Sequence, residues 1–188
     1  MNQIFYDAVE NSPVIEAVKN QEGLARCVQS ESHVIFILYG DICNIADIVK
    51  TVKNVGKIAI VHADLITGLS GKEISVDFIK NYTQADGIIS TKANMIKRAK
   101  ELEMFTVFRM FVLDSMALEN LQRQGNAVHA DFIEILPGVM PKVIKRVCRI
   151  SKSPIIAGGL IVDKEDVIEA LGAGAIAIST TNQEVWFL

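Results

Sequence analysis

The chain has 188 residues, half of them hydrophobic, with a formal net charge of −3 and a mean hydropathy of +0.30. That length predicts a single domain, residues 1–188, with enough chain to bury a sizeable core. The charge excludes a surface that is basic throughout, so any nucleic-acid contact must be local, and no apolar run approaches the ~18 residues of a membrane span.

Short apolar runs punctuate the chain. They read Val14 to Val18, Val34 to Leu38, Ile58 to Val61, Gly87 to Ile89, Phe105 to Phe111 and Phe132 to Leu136. Two more close the series, Ile155-Ile156-Ala157-Gly158-Gly159 and Ala175-Ile176-Ala177-Ile178-Ser179-Thr180-Thr181. A short, continuously apolar run marks a strand buried on both faces, as parallel sheets require. Helical periodicity fills the gaps. Ile45, Ile48, Val49 and Val52 share one face, as do Ile74, Phe78 and Ile79, and then Val139, Val143, Ile144 and Val147. Ser70 with Glu73 reads as a capping box, Asp114 caps a helix running through Leu121, and Asp163 caps one ending at Leu171 with Gly172 just beyond. No linker or low-complexity stretch interrupts this. Eight strands alternating with helices predict an α/β fold, a compact single-domain (β/α)8 TIM barrel, since open doubly wound sheets usually have about five to seven strands.

Elsewhere the sequence is informative by what it lacks. The start of the chain carries Asp7 and Glu10 and no basic region, unlike a signal peptide. Cys27, Cys43 and Cys148 are scattered, odd in number and without metal-ligand spacing, which predicts a reducing cytoplasm and no metal site.

In a barrel of this type function gathers at the C-terminal ends of the strands. Those ends read Lys19 and Asn20; Gly40 and Asp41; His62 and Asp64; Thr91 and Lys92; Arg109; Glu134 and Gly138; Gly158 and Gly159; Ser179 and Thr180. The last two units commonly build a phosphate site, completed by a short extra helix that Asn182 to Phe187 would supply. Gly158 and Gly159 let the backbone approach an anion closely, although a tight turn alone also needs glycine. Arg109, inside an apolar strand, must be paired, and Glu134 on the next strand is its natural partner, either as a structural ion pair or as one that opens to grip a ligand. Lys92 fits a phosphate contact, a catalytic base or a Schiff-base lysine. His62 reads as a hydrogen-bonded rim residue and Asp64 as an acceptor for a ligand hydroxyl. Residues Leu65 to Gly71 form a lid or a plain connection. Basic residues cluster at Lys97 and Arg98, and along a stripe of Lys142, Lys145, Arg146 and Arg149. Such stripes are either solvated helix faces or nucleic-acid contacts.

Taken together, Val61-His62-Ala63-Asp64-Leu65-Ile66-Thr67-Gly68-Leu69, Asp86-Gly87-Ile88-Ile89-Ser90-Thr91-Lys92 and Leu113-Asp114-Ser115-Met116-Ala117-Leu118 resemble the glycerol-3-phosphate-responsive antiterminator family. Ile133-Glu134-Ile135-Leu136-Pro137-Gly138, Pro154 to Ile161, Ser179-Thr180 and Trp186 continue the resemblance over nearly the whole chain. It implies a cytoplasmic regulator of glycerol-utilisation genes that binds glycerol 3-phosphate and acts on leader mRNA, passing a terminator or stabilising the message. It further implies ligand phosphate at Gly158, Gly159, Ser179 and Thr180, and glycerol near Asp64, Lys92, Arg109 and Glu134. RNA would meet Lys97, Arg98, Lys142, Lys145, Arg146 and Arg149. No cofactor, metal, catalytic residue or membrane is implied, and a homo-oligomer stays open. The alternative is a TIM-barrel enzyme on a small phosphorylated metabolite, an isomerase, aldolase or phosphodiesterase, with Lys92, Glu134 and His62 moving protons.

Overall fold

The computed structural model describes residues 3–187. Eight parallel strands, β1 (Val14–Val18), β2 (Val34–Ile37), β3 (Ile58–His62), β4 (Gly87–Ser90), β5 (Phe105–Phe111), β6 (Phe132–Leu136), β7 (Ile155–Gly158) and β8 (Ala177–Thr180), close into a barrel in sequence order. Closure is made by β8 pairing with β1, Ser179 opposite Ile15 and Thr180 opposite Glu16. The chain is therefore the (β/α)8 TIM barrel that its apolar periodicity predicts.

The helices are α1 (Gln3–Asn11), α2 (Gln21–Cys27), α3 (Ile45–Asn54), α4 (Ile74–Tyr82), α5 (Ala93–Glu101), α6 (Ser115–Asn120), α7 (Asn126–Val128), α8 (Pro141–Ile150) and α9 (Lys164–Gly172). A π-helical turn, Leu121–Gly125, joins α6 to α7. Asp114 and Asp163 act as N-caps, their carboxylates accepting from the Ala117 and Asp166 N–H groups. Two boundary expectations are corrected. The Ser70–Glu73 box does not form: α4 starts at Ile74, and Ser70 instead exchanges hydrogen bonds with the Ser75 hydroxyl. Gly172 ends α9 from inside, and the left-handed residue beyond it is Gly174, at φ +110°.

Strand alternation sorts the buried side chains into two cores. Ile15, Ala17, Val34, Phe36, Ile60, Ile89, Val107, Phe132, Ile156 and Ala177 fill the lumen. Their neighbours, among them Val18, Ile35, Val61, Ile88, Phe108, Ile133, Ala157 and Ile178, belong to the core packed against the surrounding helices. The lumen is stopped from below by α1, which the sequence reading does not anticipate. Phe5 stacks on Phe105 at 4.7 Å and meets Phe132 edge-on at 4.8 Å, and Val9 joins it in full burial. Carboxylates pin the lower strand ends. Asp86 accepts from the Ala59 N–H and from Lys53, and Asp131 accepts from the Thr106 N–H and hydroxyl.

Two ionisable groups are buried outside the lumen. Lys57 reaches the Cys27 and Ser30 carbonyls and the Ser30 hydroxyl, next to the fully buried Glu16. Burial pushes the Glu16 carboxyl up to about 7, against the pull of Ser30 and the Lys57 ammonium.

Contact between β4 and β5 depends on a missing side chain. A Cβ on Gly87 would lie 2.3 Å from the Phe105 carbonyl oxygen, a backbone atom that cannot swing aside. Gly87→Ala is expected to destabilise the fold by about 2–4 kcal/mol; urea unfolding of the two proteins side by side measures this, and an unchanged midpoint would contradict the register.

Candidate functional site

Apolar lumen layers give way to polar ones at the top of the barrel. In the register Arg109 lies directly opposite Glu134, and its Nε donates to Glu134 Oε2 at 2.5 Å. The other carboxylate oxygen, Oε1, accepts from the Ser179 hydroxyl at 2.5 Å. Glu134 is fully buried and Arg109 nearly so. Such a charge persists in an interior only when each oxygen has a partner. Gly158 makes the meeting possible: a Cβ there would stand 2.4 Å from Ser179 Oγ and 2.7 Å from Glu134 Oε1.

Above this layer opens a cavity of about 680 Å³. Arg109, Glu134, Ser179, Leu38 and Leu136 face it from the strands, and Lys19, Asn20 and Glu22 from the turn into α2. The loops after β7 and β8 form its far wall, from Gly159 to Val162 and from Thr180 to Gln183. Gly159 and Leu160 are successive left-handed residues, at φ +77° and +65°. A leucine in that region costs on the order of 1–2 kcal/mol, and such strain clusters at binding sites. The N–H groups of Gly159, Leu160 and Thr181 lie just past the upper ends of β7 and β8, on this wall of the cavity. Backbone donors gathered on one wall are a natural anion cradle. The Thr180 hydroxyl is committed elsewhere: it donates to the Ile161 carbonyl and accepts from the Asn182 N–H. Trp186, in the 3-10 turn Val185–Phe187, donates its indole N–H to the Thr180 carbonyl. The short terminal helix that the sequence predicts over Asn182 to Phe187 is thus a single turn, and it acts as a clasp on the β8 loop.

The expected site residues fall into two groups. Gly159, Ser179, Thr180, Arg109 and Glu134 border the cavity, and Gly158 backs directly onto it. Asp64 and Lys92 are not among its lining residues. Asp64 instead accepts from the Ser90 hydroxyl, the Thr91 N–H and the Thr91 hydroxyl, with Lys92 Nζ at 3.5 Å. Burial would raise the Asp64 carboxyl, but the Thr91 N–H, the Ser90 hydroxyl, His62 and Lys92 outweigh it and hold it below the usual range. Lys92 lies against Gly71, so this pair ties the β3 and β4 loops together.

His62 is not a rim residue, as the sequence reading expects, but a lumen side chain only 2 % exposed. Its Nδ1 has no hydrogen-bond partner among the described residues. Burial, and then the Arg109 charge, push the imidazole down to about 4, so it is neutral near pH 7. The segment read as a lid is anchored. Thr67 pairs with the β2–α3 loop, its N–H donating to the Gly40 carbonyl and its carbonyl accepting from the Ile42 N–H. Of the basic candidates, Lys97, Lys142, Lys145, Arg146 and Arg149 are exposed. Arg98 is held by Asp77 at 2.6 Å and by Glu101 at 2.9 Å.

Glu22 and Leu136 line the cavity without a site role expected from the sequence, and Asn182 and Gln183 belong to the segment expected to complete the phosphate site. Barrel closure brings them in, since it sets the loop after β8 beside the loop after β1. Among the described residues no helix is long and apolar enough to cross a membrane, and no group of three His, Cys, Asp or Glu side chains is placed to hold a metal ion.

Fold and cavity together define a (β/α)8 protein with a binding mouth walled by its seventh and eighth loops. Comparison with known proteins narrows this. Residues 14–186 match the model of the family described as glycerol-3-phosphate responsive antiterminator, and the chain belongs to that family. It is 47% identical over 180 residues to the uncharacterized protein YgcP of Escherichia coli K12, a match spanning 96% of this chain and 94% of that one. Among solved structures, it is similar to the glycerol uptake operon antiterminator regulatory protein of Listeria monocytogenes, with 33% identity and a TM-score of 0.90, covering 94% of this chain and 95% of that one. A glycerol uptake operon antiterminator-related protein from Thermotoga maritima gives 32% identity and a TM-score of 0.83, covering 93% and 98%.

Two outcomes follow from this geometry. Arg109→Met alone strands the buried Glu134 charge and is expected to cost about 3–5 kcal/mol, most of it recovered when Glu134→Gln is added; chemical denaturation of the single and double variants decides. The second concerns acid. A histidine near 6.5 when unfolded and near 4 when folded contributes stability that is present above pH 6.5 and lost as pH falls through 4, about 3 kcal/mol in all. The difference in unfolding free energy between the native protein and His62→Gln should shrink by that amount between pH 7.5 and pH 4; the opposing titration of Glu16 is common to both proteins and cancels.

Proposed function

We propose that the protein is a glycerol 3-phosphate sensor that controls glycerol-utilisation genes by binding leader RNA in the cytoplasm. The observation that carries this reading is the mouth of the barrel. It pairs an anion cradle at Gly159, Leu160 and Thr181 with a polyol-reading layer at Arg109, Glu134 and Ser179, both on one cavity. The phosphate sits against the backbone donors, with Lys19 as the nearest mobile cation. The hydroxyls then reach Glu134, whose carboxylate accepts, and the terminal nitrogens of Arg109, which donate. The ligand competes with contacts the protein already makes to itself, so binding and internal rearrangement are linked.

A sensor fits the site better than a catalyst. The three side chains that an enzyme reading would use are withheld from the cavity or already engaged. His62 is buried beside Arg109, Lys92 is turned to Asp64, and Glu134 is held by two donors. RNA meets the exposed Lys142, Lys145, Arg146 and Arg149 stripe of α8, with Lys97 of α5. Arg98, spent on two carboxylates, contributes to packing.

Calorimetric titration with glycerol 3-phosphate, inorganic phosphate and glycerol tests the ligand. Saturable binding is expected for the first, much weaker binding for the second and none for the third. Gly159→Ala places a side chain at φ +77° and 3.2 Å from Leu136, and is expected to weaken glycerol 3-phosphate binding at least tenfold. Equal affinity for phosphate alone would remove the polyol layer from the site. Turnover of triose or pentose phosphates, lost in Glu134→Gln, would replace the sensor by an enzyme.

A further inference from the structure

Between the end of β5 and the α6–π-turn segment lies an open cleft of about 260 Å³ that the ligand site does not use. Its floor is the end of β5. Phe111 is its exposed aromatic, with 51 % of the residue accessible, and Leu113 and Met116 nearby are more exposed still. The rim carries the side-chain amides of Gln124 and of Asn120, whose Oδ1 accepts from Arg123, beside the Thr91 hydroxyl, which donates to Asp64. Gln124 comes from the π-helical turn, a device that recurs at functional sites and is out of place in a merely structural helix.

Position supplies the next observation. In barrel order the cleft segment follows β5, flanked by α5 after β4 and by α8 after β6. These are the two helices bearing the exposed cations, Lys97 on one side and the Lys142 to Arg149 stripe on the other. An open, partly aromatic cleft with amides at its edge, on the segment between two helices that carry exposed cations, has the complementarity of a single-stranded nucleic acid. Phosphates are held by cations on either side, and a base is stacked and read between them.

The wall between this cleft and the barrel lumen is shared. Arg109 borders both the ligand cavity and the cleft, and Phe111 is two residues further along the same strand. A ligand that draws Arg109 away from Glu134 therefore acts on the floor of the cleft.

We propose that the cleft takes one unpaired base of single-stranded RNA, stacked on Phe111 with Asn120 and Gln124 at its edge, and that Arg109 ties base binding to occupancy of the lumen. This rests on the RNA-binding reading above and adds to it the contact face, the mode of recognition and the route of coupling. The test uses the full chain and four fluorescent single-base RNAs of about ten nucleotides, a length suited to one site of this kind, with and without glycerol 3-phosphate. The native protein is expected to prefer one base, with an affinity that changes on adding glycerol 3-phosphate. Phe111→Ala should lose about tenfold or more in affinity and Phe111→Trp should retain it; Gln124→Ala should flatten the preference among bases. A combined Lys145→Ala, Arg146→Ala and Arg149→Ala variant should weaken all four RNAs alike and reduce the salt dependence. If that variant abolishes binding while Phe111→Ala and Gln124→Ala bind as the native protein does, the cleft proposal is overturned and the RNA reading stands. If the native protein binds none of the RNAs, both fall. Loss of self-association in Phe111→Ala, with RNA affinity unchanged, would assign the cleft to a second copy of the chain and overturn the proposal.

Discussion

A buried carboxylate organises the upper half of this barrel. Glu134 is fully buried, and an isolated charge there would be too costly to keep. Its two oxygens are satisfied by two strands, β5 through Arg109 and β8 through Ser179, and a third strand, β7, yields space by carrying Gly158. Strand register, the glycine and the height of the polar layer follow from that one requirement. So does the character of the cavity above, because the groups that neutralise Glu134 are also the groups a polyol would address.

This arrangement is poised by construction. A buried ion pair contributes little net stability when it is intact and costs a great deal when it is halved. A ligand able to substitute for one partner's contacts can therefore shift the balance without opposing a large folding term. The neutral His62 beneath Arg109 belongs to the same economy, since a second positive charge there would compete for Glu134. The strained Gly159–Leu160 step and the Trp186 clasp hold the opposite wall ready.

Much of the architecture was legible in the residues. Strands buried on both faces leave uninterrupted apolar runs, and the eight runs correspond to the eight strands. An arginine within Phe105 to Phe111 announces a partner, and the adjacent strand offers only Glu134 at matching depth. Other features were hidden for physical reasons. The helix over residues 3–11 buries only Phe5 and Val9, and its value lies in contacts with Phe105 and Phe132, far away in sequence. Asp64 and His62 look alike as strand-end polar residues, yet one turns to the neighbouring loop and the other into the lumen, because His62 is the last residue of β3 and Asp64 lies in the 3-10 turn Ala63–Leu65. Glu22 joins the cavity only because the last strand meets the first.

The helix packed under Phe105 and Phe132 makes the barrel a vessel with a sealed base. Nothing can thread through it, so a captured metabolite must leave by the opening through which it arrived. Anything that covers that opening, including a strand of nucleic acid laid across the neighbouring loops, would slow its escape, and the occupant would in turn favour the cover. A dead-ended chamber of this sort would hold its occupant for as long as its doorway was covered.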